Sequence, residues 1–179
     1  PYGADYCTTA DVALGTYLSG VTSQRAVGTS DYQGDNGATG SQHVHGWYAI
    51  SDTVPPEMVP WTAKTVFKSG QHSGTTSGTI NTNFWNSVDS AMAWGNPEAP
   101  SSVSVAFLGQ VRVDSMGWGR GDSGAPVFLH TKTVGVCNPY CALGLQNSGF
   151  GGVSPTTGQC NVGKLCSIQF SKWSAMESW

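Results

Sequence analysis

Charged side chains are scarce in this sequence. They make up 11% of the residues, with 8 Lys+Arg against 11 Asp+Glu and a formal net charge of −3, whereas about 25% is usual in globular domains. The basic residues are scattered along the chain, and a surface that binds nucleic acid needs them clustered. We therefore expect no nucleic-acid partner.

Long apolar runs are absent as well. No segment approaches the roughly 20 apolar residues that a membrane-spanning helix needs. The first residues, Pro1 to Asp5, have neither the basic nor the apolar region of a signal peptide. We expect a soluble, already processed chain with no membrane partner, no cofactor and no metal.

The number of cysteines is small and odd. Four of the five crowd into the last third of the chain, among Gly, Ser, Thr and Asn, which is typical of an oxidised, secreted protein. Their spacing lacks the paired rhythm of zinc ribbons. The four can pair among themselves in three ways, which leaves the first either free or bridged to something outside this chain. The five are Cys7, Cys137, Cys141, Cys160 and Cys166.

Short segments of alternating apolar and polar residues recur between Gly, Ser, Asn and Pro. This period of two predicts β-strands, at the spacing of a sandwich or barrel. One helix is predicted, from Gln169 to Trp179, because Phe170, Trp173 and Met176 recur at helical spacing without Gly or Pro. The predicted strands cover residues 65–69, 75–80, 102–108, 110–113, 125–129, 133–136 and 142–146.

The first third of the chain has a different character. Residues 19–41 are polar and dotted with glycine, which predicts a long loop, and Val54 to Pro60 is a proline-rich linker. The better-defined β region starts near Trp61. We therefore divide the chain at residues 60 and 61.

The most specific motif is Gly121-Asp122-Ser123-Gly124-Ala125-Pro126. Glycines on both sides of a serine permit a tight turn that projects the hydroxyl and aims neighbouring amides at one point. The motif resembles the nucleophile loop of the chymotrypsin-like serine proteases, with Ala125 in place of the usual second glycine.

This resemblance implies a role for each residue of the turn. Ser123 would be the nucleophile that forms an acyl-enzyme, and the amides of Gly121 and Ser123 would form the oxyanion hole. Asp122 would turn inward and hold the loop, with either an internal arginine, for which Arg112 is the candidate, or the N-terminus of a missing segment as its ionic partner.

Two more stretches are similar to the bacterial and fungal members of that family. Residues 66–70 and 74–80 resemble the opening hairpin of the second barrel, and Asp11 to Leu14 resembles the strand that carries the triad aspartate. The resemblance implies an all-β, double antiparallel β-barrel. The second barrel would be complete over 61–179, with a C-terminal helix. Residues 1–60 would hold the end of the first barrel.

The general-base histidine is missing from its family position. It belongs before the aspartate, yet none of the residues ahead of Asp11 is histidine. One explanation is that the chain is the C-terminal portion of a secreted endopeptidase whose histidine lies upstream of Pro1, on a companion segment linked through Cys7.

The other explanation is a rearranged or lost triad. His45 is then the best base, with Asp52 or Asp89 to orient it. His43 and His45 would share one face of a strand and could also hold a metal, but ordinary surface histidines are the simpler interpretation. A lost triad would leave an inactive binding module. The four histidines are His43, His45, His72 and His130.

By the same resemblance, Gly117 forms the base of the specificity pocket. Gln146, Asn147 and Ser148 form its far wall. No acid stands at the base, which disfavours a preference for Lys or Arg, although Asp114 lies three residues before it.

Two interpretations of neighbouring residues stay open. Met116 and Trp118 either line an apolar pocket or belong to the core. Arg120-Gly121-Asp122-Ser123 also spells an adhesion tetrapeptide, which would require an exposed Asp122.

Overall fold

The computed structural model describes the chain in ten stretches, and these contain nine β-strands. The stretches are residues 6–8, 16, 18–22, 26–30, 44–53, 65–91, 103–119, 121–130, 140–152 and 166–173. The strands are β1 (Tyr6–Thr8), β2 (Ala26–Ser30), β3 (Val44–Thr53), β4 (Thr65–Gly70), β5 (Gly74–Ala91), β6 (Val103–Asp114), β7 (Pro126–His130), β8 (Tyr140–Gly151) and β9 (Cys166–Lys172). Among these residues no helix is both long and apolar enough to cross a membrane.

Strands β4 to β9 close into an antiparallel barrel. The order around the ring is β4, β5, β6, β9, β8 and β7, and β7 pairs with β4 again. Closure pairs every strand of the ring on both sides, which leaves no open edge between them.

The first three strands join this barrel from outside. β1 pairs with β6 and β3 pairs with β8, both in parallel, while β2 pairs with β3 in the antiparallel sense. The Ser69 hydroxyl on β4 donates a hydrogen bond to the Gly28 carbonyl on β2. The N-terminal hairpin is therefore tied to the barrel at two places.

The core fills the barrel with side chains from alternate positions. On β4, for example, Val66, Lys68 and Gly70 are buried while their neighbours are not. Burying a Val, Leu, Ile or Phe side chain stabilises the fold by about 1.5–3 kcal/mol. The core residues are Val66, Ile80, Val111, Val113, Met116, Val127, Leu129, Cys141, Leu143, Ile168 and Phe170.

Most of the predicted strands are confirmed. Residues 65–69 and 75–80 lie in β4 and β5, most of 125–129 lies in β7, and 142–146 lies in β8. The segments predicted at 102–108 and 110–113 fall, from Val103 onward, in the single strand β6, which continues through Gly109 with its φ of 65°. Residues 133–136 lie outside the described stretches.

Two predictions of local structure were wrong. The loop predicted over 19–41 contains β2, whose Val27 is buried. The helix predicted over 169–179 is wrong for residues 169–172, which belong to β9, where Ile168 and Phe170 lie in the core and Gln169 between them is buried as well. Trp173 is helical. Residues 174–179, and the linker at 54–60, lie outside the described stretches. The division at residue 60 stays a prediction.

Candidate active site

Ser123 lies on a tight turn that leads into β7. Gly121 and Gly124 have φ values of 100° and 85°, a conformation that glycine adopts without steric cost. The turn is closed by the Asp122 amide on the Gly119 carbonyl at 3.2 Å and by the Ala125 amide on the Asp122 carbonyl at 2.8 Å. Ser123 is exposed at its tip. The flanking glycines therefore serve the backbone shape that presents the hydroxyl.

The turn is fixed to the middle of β8. The Gly124 amide donates to the Gln146 carbonyl at 2.8 Å, and the Gln146 amide donates to the Ala125 carbonyl at 2.9 Å. These two hydrogen bonds, called the Gln146 bracket below, place Gln146, a predicted wall residue, directly beside the Ser123 turn.

The amides of Gly121 and Ser123 lie on the same turn. Neither of them donates a hydrogen bond to another described residue. An oxyanion hole needs backbone N–H groups that are not already engaged. The oxyanion hole stays a prediction, and the geometry of the turn is compatible with it.

Asp122 points the opposite way from Ser123, into the protein. Its Oδ2 lies 2.7 Å from Lys68 Nζ, and both side chains are fully buried. The same oxygen accepts hydrogen bonds from Ser73 Oγ at 2.6 Å and from the Gly119 amide at 2.9 Å. Oδ1 accepts from the amides of His72 at 2.8 Å and Ser73 at 3.1 Å. Every lone-pair direction of the carboxylate thus has a donor.

Burial and ion pairing act against each other in this pair. Burial alone would raise the pKa of the Asp122 carboxyl. The Lys68 charge and the hydrogen bonds from Lys68, Ser73 and His72 outweigh it and hold that pKa below its ordinary value. Burial lowers the pKa of the Lys68 ammonium, against the opposing effect of the Asp122 carboxylate. The carboxylate is therefore the ionised anchor of the turn.

Arg112 is not the partner of Asp122, contrary to expectation. Arg112 follows the buried Val111 on β6 and faces outward, where its Nε lies 3.0 Å from Asp114 Oδ1 and its guanidinium lies 4.6 Å from the centre of the Trp85 ring. Sequence reasoning missed Lys68. The sequence does carry a signal for it. In the alternating segment that forms β4, Lys68 stands at a position that points into the barrel, as Val66 does.

The adhesion interpretation of residues 120–123 was wrong. It needs an exposed carboxylate, and Asp122 is 1% exposed and paired with Lys68. Arg120 lies outside the described residues.

No described side chain stands as a general base at Ser123. The Ser123 hydroxyl makes no hydrogen bond within the described stretches, and the ring of His72 packs instead against Gly119, where an added Cβ would lie 2.0 Å from Cδ2. Asp11 and His43 lie outside the described residues. His130 ends β7.

His45 lies on β3 ahead of the segment that pairs with β8. β3 runs parallel to β8 from Ile50, opposite Tyr140, to Thr53, opposite Ala142. His45 falls at the register shift between Val44 and Gly46 in the pairing with β2. Its assignment as a rearranged base stays a prediction. Asp52 and Asp89, its proposed orienting residues, lie on β3 and β5.

The predicted pocket residues differ in their surroundings. Gly117 is buried, and its carbonyl accepts a hydrogen bond from Thr76 Oγ1 at 3.0 Å. The Asn147 side chain is engaged inside the barrel, because its Nδ2 donates to Gln110 Oε1 at 2.7 Å and to Ser171 Oγ at 3.0 Å. Ser148 lies opposite Gln169 in the pairing of β8 with β9. The pocket itself stays a prediction.

Asp114 does not offer a charge to this region. It ends β6 on the outward side, where it pairs with Arg112 and accepts a hydrogen bond from Asn81 Nδ2. A basic substrate side chain would therefore find no free carboxylate from Asp114.

Comparison with known proteins places the fold. No family model matches the sequence, and no curated protein matches it either. Solved structures do match. The structure of Cellulomonas bogoriensis chymotrypsin superimposes with a TM-score of 0.51 at 18% identity, covering 90% of this chain and 61% of that one. Thermobifida fusca protease A gives a TM-score of 0.51 at 18% identity, covering 90% of this chain and 60% of that one.

These likenesses show an all-β, chymotrypsin-like β-barrel fold for the chain. The chain spans about three fifths of the length of those two proteins, because the match covers 61% of the first and 60% of the second.

Proposed function

We propose that this chain carries the nucleophile of a secreted serine endopeptidase. Ser123 attacks the peptide carbonyl, the amine product leaves, and water then hydrolyses the acyl-enzyme. The observation that carries the proposal is the Ser123 turn, in which an exposed hydroxyl stands between two left-handed glycines on a buried ionic anchor.

The charge arrangement of the turn supports this chemistry. An oxyanion that develops beside Ser123 needs amides held in place before the reaction begins. The Lys68–Asp122 pair and the Gln146 bracket hold the turn from two sides. In such sites one oxyanion donor contributes about 2.7–4 kcal/mol to the transition state.

The rest of the triad belongs to the same proposal. Asp11 orients a general-base histidine, and that histidine comes from a segment upstream of Pro1. The matching proteases are longer than this chain, which supports a further segment in the working enzyme.

Hydrolysis by the native protein tests the proposal. The protein should be expressed from its full gene, and the kcat/KM for peptide substrates compared with that of Ser123→Ala. We expect the substitution to lower kcat by several orders of magnitude. Ser77→Ala is the matched control, since Ser77 is an exposed serine on β5. Undiminished hydrolysis by Ser123→Ala would overturn the assignment, and a native protein that binds peptides without cleaving them would be a binding module.

Secretion and a companion chain are further parts of the proposal. Cys141 and Cys166 each take part in a disulfide bond, which fits an oxidising compartment. Cys7 lies on β1 opposite Ala106, and we expect it to bridge to the segment that carries the histidine. Mass analysis of native material without reductant should then show several additional kilodaltons that reductant releases. A free Cys7 thiol on a fully active 179-residue chain would contradict this link.

A further inference from the structure

The indole of Trp118 contacts two segments that each connect to the Ser123 turn. One is the segment from Met116 to Gly119, and the Gly119 carbonyl accepts the Asp122 amide of the turn. The other is the end of β8 from Ser148 to Phe150, which follows Gln146, the residue that brackets the turn.

Two contacts hold the indole across the gap between these segments. Trp118 Nε1 donates a hydrogen bond to the Phe150 carbonyl at 3.0 Å. The ring also lies flat on Gly149, because an added Cβ there would be 2.3 Å from Trp118 Cδ2 and 2.6 Å from Cγ. Trp118 also packs against the barrel core. The indole therefore spans from one segment to the other.

We propose that Trp118 restricts the side chain accepted beside Ser123 to small ones, so that the enzyme cleaves after Gly, Ala or Ser. This inference rests on the proposed endopeptidase function. A Leu, Phe or Lys side chain needs volume that the indole occupies. Displacing the indole would lose its hydrogen bond to Phe150 and its packing on Gly149. Asp114 offers no free carboxylate to a basic side chain, since it is paired with Arg112.

Substrates that differ only in the residue before the scissile bond test the inference without any mutation. For the native protein expressed from its full gene, we expect kcat/KM to be at least about tenfold higher for Ala than for Phe. An equal or higher value for Phe would overturn the inference while leaving the proposed function intact.

Trp118→Ala should move this preference. Removing the indole opens an apolar space, and we expect the Phe-to-Ala ratio of kcat/KM to rise at least about tenfold. Trp85→Ala is the matched control, because Trp85 lies on β5 under the Arg112 guanidinium, outside the gap. A ratio that is unchanged in Trp118→Ala, or that shifts as much in Trp85→Ala, would count against Trp118.

A binding measurement separates the two proposals. An apolar cavity made by deleting a side chain takes up a ligand of matching shape. Calorimetry should therefore show free indole binding to Trp118→Ala but not to the native protein or Trp85→Ala. If the native protein hydrolyses no peptide, the proposed function fails, while indole uptake still reports whether Trp118 fills the gap. Failure of Trp118→Ala to bind indole would overturn the inference.

Discussion

Two neighbouring residues with opposite orientations define the candidate site. Ser123 is exposed, and Asp122 is buried against Lys68 on β4. The positive φ values of Gly121 and Gly124 permit the tight turn in which the side chains of Asp122 and Ser123 point in opposite directions. The presentation of the hydroxyl therefore depends on an ion pair on the other side of the backbone.

Replacing Lys68 should destabilise the protein strongly. In Lys68→Met the buried carboxylate of Asp122 loses its counter-charge, and breaking such a pair costs about 3–5 kcal/mol. Urea denaturation gives the free energy of unfolding. Lys172→Met is the matched control: Lys172 is partly buried and lies 4.4 Å from the centre of the Phe84 ring, a contact worth about 0.5–1 kcal/mol. Similar losses in the two variants would contradict a special role for Lys68.

The same carboxylate predicts how stability depends on pH. The pKa of Asp122 is lower in the folded state than in the unfolded chain, where a value near 3.9 is usual. As the pH falls below that value, the Asp122 carboxyl takes up a proton in the unfolded chain before it does so in the folded protein, which favours unfolding. The stability that this carboxylate contributes is therefore present above about pH 4 and is lost as the pH falls further. Asp122→Asn should have lower stability at neutral pH and a shallower loss in acid. Parallel pH profiles of the two proteins, measured by urea denaturation, would contradict this.

At the scale of elements, β8 connects the turn to the barrel. It holds the Ser123 turn through Gln146 and pairs with both β7 and β9. The pairing with β9 brings two backbones close together at Gly144, where an added Cβ would lie 1.9 Å from the Ser171 carbonyl oxygen. The position of β8 therefore depends on a glycine there.

Gly144→Ala should weaken the barrel. The methyl group meets backbone, which cannot move aside as a flexible side chain can, and overpacking costs about 1–3 kcal/mol or more. Gly109→Ala is the control, since Gly109 has open space around it and only its φ of 65° opposes a side chain, at about 1–2 kcal/mol. Chemical denaturation should rank Gly144→Ala as the less stable. A Gly144→Ala protein as stable as the native one would contradict the close approach.

Alternation along the chain predicts barrel strands such as β4, in which one face is buried and the other is not. It fails for β2, whose glycine-dotted sequence looks like a loop although Val27 is buried. It fails again at Phe170, where spacings of two and of three both fit the apolar residues and only the pairing with β6 and β8 decides. The local sequence pattern is therefore sufficient to predict a strand where one face of that strand is clearly polar.

At the scale of the whole molecule, the described chain is one closed barrel with three strands attached outside it. The nucleophile motif could be predicted from sequence, because its glycines and serine act within one turn. The roles of Lys68 and Trp118 could not, because their partners Asp122 and Gly149 are distant in sequence and meet only in the folded barrel. The triad aspartate and histidine remain predictions, because Asp11 lies outside the described residues and the histidine is expected on an upstream segment.

Covalent labelling of Ser123 tests the central claim most directly. Native material, with whatever segment precedes Pro1, should be exposed to a fluorophosphonate and analysed by peptide mass mapping. An assembled triad makes one serine far more nucleophilic than the rest. We predict rapid incorporation of one label per chain on Ser123, with none on the exposed Ser77. An unmodified Ser123 in native material, or labelling spread equally over both serines, would contradict the claim.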